Sequence, residues 1–146
     1  MQRLRGFTLI ELMVVVVIIA ILAGVAYPNY VSHARKTKRG EAKARLLHIA
    51  QLEERYFTEN NTYTTDIAPL LGFASGATIY SSDTNDSASG YQITAAAGGT
   101  GIAQSFTLSA VPQGGQTADT ECGTLTLQHT GAKQITGTGA LTRCWN

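Results

Sequence analysis

The chain has 146 residues, room for one domain around one modest core. Its 11 Lys and Arg against 10 Asp and Glu leave a formal charge of +1, so bulk charge makes no case for a polyanionic partner. Apolar residues crowd the N-terminal fifth, while the second half is rich in Thr, Gly and Ser, which predicts an apolar helix followed by a polar head containing β-structure.

Positions 1–6, Met-Gln-Arg-Leu-Arg-Gly, are short and basic, and Arg3 and Arg5 read as the positive-inside signal that holds this end in the cytoplasm. From Phe7 to Ala26 the chain is almost wholly apolar, about the length a helix needs to cross a bilayer. Val and Ile are mediocre helix formers in water, but in lipid the backbone must satisfy itself internally, which makes helix the assignment. Glu11 breaks the run. A carboxylate inside a spanning helix costs about 2–3 kcal/mol or more unless paired or neutralised. Either Glu11 lies at the membrane edge and reaches water, or its partner arrives only on assembly: the N-terminal amine of another copy, freed by a cut before Phe7. An ordinary secretory signal would be cut after the apolar run. Ala20, Ala23 and Ala26 offer such a site, but the helical pattern runs on past Pro28.

The segment Gly6-Phe7-Thr8-Leu9-Ile10-Glu11-Leu12 resembles the prepilin peptidase motif of type IV pilins and related pseudopilins. The resemblance is close over roughly the first thirty residues. It implies that residues 1–6 are a leader cut after Gly6, that Phe7 becomes an N-methylated N-terminus, and that Glu11 sets the register between neighbouring subunits. It also implies a helix over residues 7–28 that spans the membrane and then forms the filament core, with a kink at Pro28. The partners implied are other pilin subunits, the prepilin peptidase, an inner-membrane assembly platform and membrane lipid before assembly, with no cofactor. The implied location is the inner membrane, single-pass with a cytoplasmic N-terminus, and then the extracellular filament.

Tyr27 and Tyr30 flank Pro28 and suit a membrane–water interface or a subunit contact. Residues 29–58 read as an amphipathic helix in which Ala42, Leu46, Ile49, Glu53 and Tyr56 recur at three- and four-residue spacing, with Leu52 beside them. That stripe predicts packing on a sheet of the same subunit. Arg35, Lys36, Lys38 and Arg39, continued by Lys43 and Arg45, form a basic cluster. It reads first as a solvated face partly neutralised by Glu41, then as a lipid-headgroup contact, and last as a DNA contact.

Residues 59–146 form the predicted head. Glu59-Asn60-Asn61-Thr62 is turn chemistry ending the helix near Thr58, Pro69 and Gly72 punctuate an irregular connection, and residues 81–90 make a polar loop. Three short period-two runs follow at 91–95, 105–110 and 123–128. They predict an antiparallel meander with one face on the helix, an α+β fold in which a long N-terminal helix covers a small sheet. Cys122 and Cys144 read as a disulfide in an oxidising compartment, the alternative being two buried thiols. Such a bridge resembles the disulfide-bounded region near the C-terminus of type IV pilins, and the final Cys-Trp pair resembles small PilE-type minor pilins.

No catalytic or nucleotide-binding fingerprint is present, and His33, His48 and His129 are dispersed. Asp83 and Asp86 share a loop, but their spacing does not match an EF-hand, so no metal site is assigned. A structural pilus subunit, serving adhesion, twitching motility or DNA uptake, is the leading expectation, and no enzyme activity is expected. A type II secretion pseudopilin shares the N-terminal motif, while the cysteine pair favours a pilin. A DNA-receptor pilin needs an exposed basic patch, and the head offers only Lys133 and Arg143.

Overall fold

The computed structural model describes residues 7–145, so the leader and Gly6 lie outside the described residues. The chain divides into two compact units, the first ending at Ala34 and the second beginning at Arg35. Helix α1, Leu9–Asn60, contributes to both.

In the first unit α1 is the apolar run, and Pro28 lies inside it rather than at an end. Proline has no N–H to give the carbonyl of Gly24. At the next residue, the Asn29 side chain donates to the Val25 carbonyl at 3.2 Å.

In the second unit α1 buries Arg39, Ala42, Arg45, Leu46, Ile49 and Glu53. Of the expected stripe, Ala42, Leu46, Ile49 and Glu53 are buried and Leu52 and Tyr56 half-buried, and two arginines widen it. The helix runs to Asn60, and Asn61 takes a left-handed conformation (φ 56°) that ends it. A 3₁₀ turn at Pro69–Leu71 closes on Gly72.

Five strands then form one antiparallel meander: β1 Ile79–Tyr80, β2 Tyr91–Ala97, β3 Phe106–Pro112, β4 Leu125–Gln128 and β5 Lys133–Ile135. The three expected strands are its centre. The two edge strands were not expected: β1 pairs with β2, Ile79 opposite Ile93, and β5 with β4, Lys133 opposite Leu127. Register explains the core. Ile79, Ile93, Ala110, Leu125 and Ile135 are successive cross-strand partners, a row of apolar side chains across all five strands. The alternate row, Thr94, Ser109, Thr126 and Gln134, gives the sheet a polar other face. Ala42, Leu46 and Ile49 of α1 join Tyr91, Leu108 and Leu125 in one core, so the helix covers the apolar face.

Candidate functional site

The N-terminal segment begins with a reciprocal cap. Thr8 precedes the first helical residue, and its hydroxyl accepts the Glu11 N–H at 3.3 Å. The Glu11 carboxylate in turn accepts the Thr8 N–H and the Thr8 hydroxyl, each at 2.9 Å. This is a capping box: two of the donors that a helix leaves orphaned are satisfied by side chains. A carboxylate in the first turn also faces the positive end of the helix dipole. Glu11 therefore has an intrachain partner, Thr8, as well as the intermolecular one expected of it. The spacing Thr-x-x-Glu ahead of an apolar run was the sequence signal for this cap.

Through and beyond this cap the large apolar side chains are open, from Phe7 at 88% and Ile10 at 70% through Ile18 at 51% to Val25 at 65%. A continuous apolar surface of this length is not stable in water and marks a contact with lipid or protein. Among the described residues, α1 is the one helix long and apolar enough to cross a membrane.

The second unit carries a buried polar cluster that ties the helix to the C-terminal edge. Arg39 and Asp119 form a salt bridge, their side chains 7% and 4% exposed. Arg39 Nη2 donates to both Asp119 oxygens, at 2.9 and 2.8 Å, and Nε donates to Oδ2 at 3.2 Å. The Gln116 side-chain amide bridges Asp119 and the Tyr91 hydroxyl, and it also donates to the Arg35 carbonyl. Burial raises the Tyr91 phenol above its ordinary range, so it stays a neutral donor. The Cys122 N–H donates to Asp119 at 3.4 Å.

This corrects the expected solvated basic face. Arg39 is spent inside the protein, and Arg45 is buried with its Nη1 3.8 Å from the exposed Asp83 carboxylate. Lys38 donates to the Ala88 carbonyl at 2.8 Å. Asp86 is likewise committed, accepting the Ala88 N–H as a cap of a 3₁₀ turn. No local signal in the sequence marks Asp119, because its partner lies eighty residues away.

Cys122 and Cys144 are bonded, with Cα atoms 5.7 Å apart and both residues fully buried. Cys144 sits in the short helix α2, Leu141–Trp145. Gly139 N–H donates to the Glu121 carbonyl and Gly137 N–H to that of Cys122. A Cβ on Gly137 would collide with the Glu121 carbonyl, so this close approach requires glycine. The Trp145 indole donates to the Gln134 carbonyl at 3.1 Å, and the Lys133 ammonium lies 5.4 Å from its ring centroid. Arg143 pairs with Glu121 at 2.8 Å, which raises its pKa further.

Residues 28–126 match the family model described as type IV minor pilin ComP, DNA uptake sequence receptor, and residues 1–27 match the prokaryotic N-terminal methylation motif. The type IV major pilin protein PilA of Myxococcus xanthus is 41% identical over 96 residues, 66% of this chain and 40% of that protein. The type IV wide pilus major component PilA4 of Thermus thermophilus is 39% identical over 71 residues, covering 49% and 54%. The type II secretion system core protein G of Pectobacterium carotovorum is 33% identical over 89 residues, covering 61% and 57%. The chain thus spans between two-fifths and three-fifths of the length of these curated relatives. A solved type IV pilin from Shewanella oneidensis superposes with a TM-score of 0.51 at 26% identity, covering 77% of this chain and 98% of that one.

Proposed function

The chain belongs to the type IV pilin family, and from that membership we propose that it is a structural subunit of a type IV pilus, a minor or major pilin that polymerises through its N-terminal helix. The observation that carries this reading is the division of α1. From Leu9 to Tyr30 it exposes every large apolar side chain, while from Ala42 onward its apolar stripe is buried in its own subunit. The first half is thus left for lipid before assembly and for other subunits after it.

On this reading the prepilin peptidase cuts between Gly6 and Phe7, and Phe7 is methylated at the new N-terminus. Glu11 pairs with that amine on a neighbouring copy and so fixes the stacking register. Pro28 supplies the bend in the helix. The subunit waits in the inner membrane with its N-terminus cytoplasmic, passes through an assembly platform there, and ends in the surface filament. It performs no catalysis. The test is mass spectrometry of the N-terminal peptide from filaments sheared off living cells. A peptide beginning at N-methylated Phe7 in that fraction supports the pilin. The same peptide confined to membranes turns the reading to a secretion pseudopilin, and a start at Met1 overturns it. Glu11→Ala is expected to leave a cleaved, membrane-resident subunit whose incorporation falls at least about tenfold, as loss of a buried ion pair predicts. Normal incorporation removes the pairing.

A second reading, a DNA-binding pilin of an uptake filament, is favoured by the description of the family model matching residues 28–126. The head has Lys133 and Arg143 as its bases, and Arg143 is paired with Glu121. Two phosphate contacts would give log K against log salt a slope of about −2. Duplex binding with that slope, weakened by Lys133→Ala, supports this reading; no binding at low salt removes it.

A further inference from the structure

Glu53 lies on the buried face of α1 and is fully closed off from solvent. Its Oε2 accepts the backbone N–H of Thr64 at 3.1 Å, while its Oε1 is buried with no hydrogen-bond partner. Among the described residues it makes no ion pair. On its own helix the neighbouring charge is a like one, Glu54. The segment that follows α1 presents the Thr64 amide and the Tyr63 phenol, whose hydroxyl donates to Glu54 at 3.1 Å. Asp66 in that segment is turned to Ser75 and the Gly76 N–H. From the sheet, Phe106 meets the Tyr63 ring edge-on, and the His129 imidazole lies beyond Phe106 with its centroid 6.3 Å away. No cation is among the groups acting on the carboxylate.

A buried carboxylate with one orphaned oxygen and no counter-charge is strongly disfavoured when ionised. We propose that Glu53 is a proton-operated latch on residues 61–67: neutral, it lets this segment close on α1; ionised, it drives the segment open so that water reaches the charge. Burial is the main cause and Glu54 adds to it, against the Thr64 amide, so the carboxyl is pushed up to about 7.

The segment under the latch has two jobs. It carries Tyr63 and Ile67 into the core, where Tyr63 stacks on Phe57 and its N–H donates to the Ile102 carbonyl at 3.1 Å. It also supplies Thr65 and Ile67 to a cleft of about 440 Å³ that is lined on the sheet by β2 residues Gln92 to Ala95. β1 pairs with β2 only at Gln92 and Ile93, so the latch governs access to an otherwise open stretch of strand edge.

The direction follows from linkage. The closed state holds its proton to about 7, while an open, solvated Glu53 titrates near 4.5. Below 4.5 both states are protonated and closure is strongest; between 4.5 and 7 opening releases a proton; above 7 both are ionised and the effect is spent.

The test is amide hydrogen exchange across residues 61–67 in the full chain in detergent micelles, expressed as protection factors so that the intrinsic pH dependence of exchange is removed. Protection is expected to fall about tenfold per pH unit through that window and to level off above it. Glu53→Gln keeps an acceptor for the Thr64 N–H and carries no charge, so its profile is expected to be flat. A flat profile in the unaltered chain, or an unchanged slope in Glu53→Gln, overturns the proposal. Should that variant fail to fold, the carboxylic-acid infrared band of the unaltered chain decides. A buried acid band present at mildly acid pH and lost at about pH 8.5 supports the latch, and its absence at acid pH overturns it.

Discussion

The two units of this chain solve one problem in opposite ways. Residues 35–145 close their apolar surface internally: a stripe on α1 meets a row of apolar partners across five strands, and a buried ion pair and a disulfide tie down the C-terminal edge. Residues 7–34 carry the denser apolar sequence and bury almost none of it within the chain. The hydrophobic effect scales with apolar area wherever the cover comes from. The first surface is a stability device of the monomer, and the second is free energy held for a lipid or protein partner. Changes in the head should therefore act on folding, and changes near the N-terminus should act on assembly with the head intact.

The hardest test of that division is Asp119→Ala. It leaves the buried Arg39 guanidinium with only the Glu121 carboxylate, 3.9 Å away, and the Gln116 amide and Cys122 N–H short of an acceptor. Removing one partner of a buried pair costs about 3–5 kcal/mol. Equilibrium unfolding of the head, followed through Trp145, is expected to show a loss of that size. Helicity of residues 7–34 in micelles should not change. A loss below about 1 kcal/mol would mean the cluster is more solvated than its 4% exposure implies.

Next in size is the disulfide. Cys122→Ser with Cys144→Ser opens a loop of sequence separation 22 and is expected to destabilise the head by about 3 kcal/mol. Trp145 should become solvent-exposed, because the bridge to Cys122 and the indole bond to Gln134 of β5 together hold α2 in place. Unchanged Trp145 fluorescence in the double variant would show that packing alone seats this helix. Subunits of that variant should still partition into membranes, since none of the residues involved lies in the N-terminal unit.

Much of this division was legible in the sequence, and the parts that were not share a physical reason. The helix stripe at Ala42, Leu46, Ile49 and Glu53 is a repeat of the α-helical period, so spacing alone finds it. β2, β3 and β4 show their alternation over four or more residues. β1 has two residues and β5 three, too few to display a period, and their pairing is imposed by the strands beside them. Arg39 and Arg45 stand beside Lys36 and Lys38 and read like them. What separates them is a carboxylate distant in sequence for Arg39, and for Arg45 a place on the buried side of the helix. The composition of a short window fixes which residues are charged, and only the tertiary fold decides which are spent internally. The Thr8–Glu11 cap is a different case, since its whole signature is local.

That cap supplies the smallest prediction. Thr8→Val keeps the backbone N–H that bonds Glu11 but removes the hydroxyl, which both donates to the Glu11 carboxylate and accepts its N–H. Loss of a capping hydroxyl costs about 1 kcal/mol, confined to the first turn. The amides of Glu11 and Leu12, bonded to the Thr8 hydroxyl and carbonyl, are expected to exchange about five times faster in micelles, as about 1 kcal/mol of local opening gives. The unfolding midpoint of the head should not move, and Thr8→Ser should restore the first turn. The variant also bears on Glu11 itself. If the carboxylate waits in the capping box until a neighbour's amine displaces Thr8, then Thr8→Val fails to hold it ready, and incorporation falls while Glu11 is still present. If Thr8→Val assembles normally with a frayed first turn, the cap is a property of the isolated subunit, and register rests on Glu11 alone.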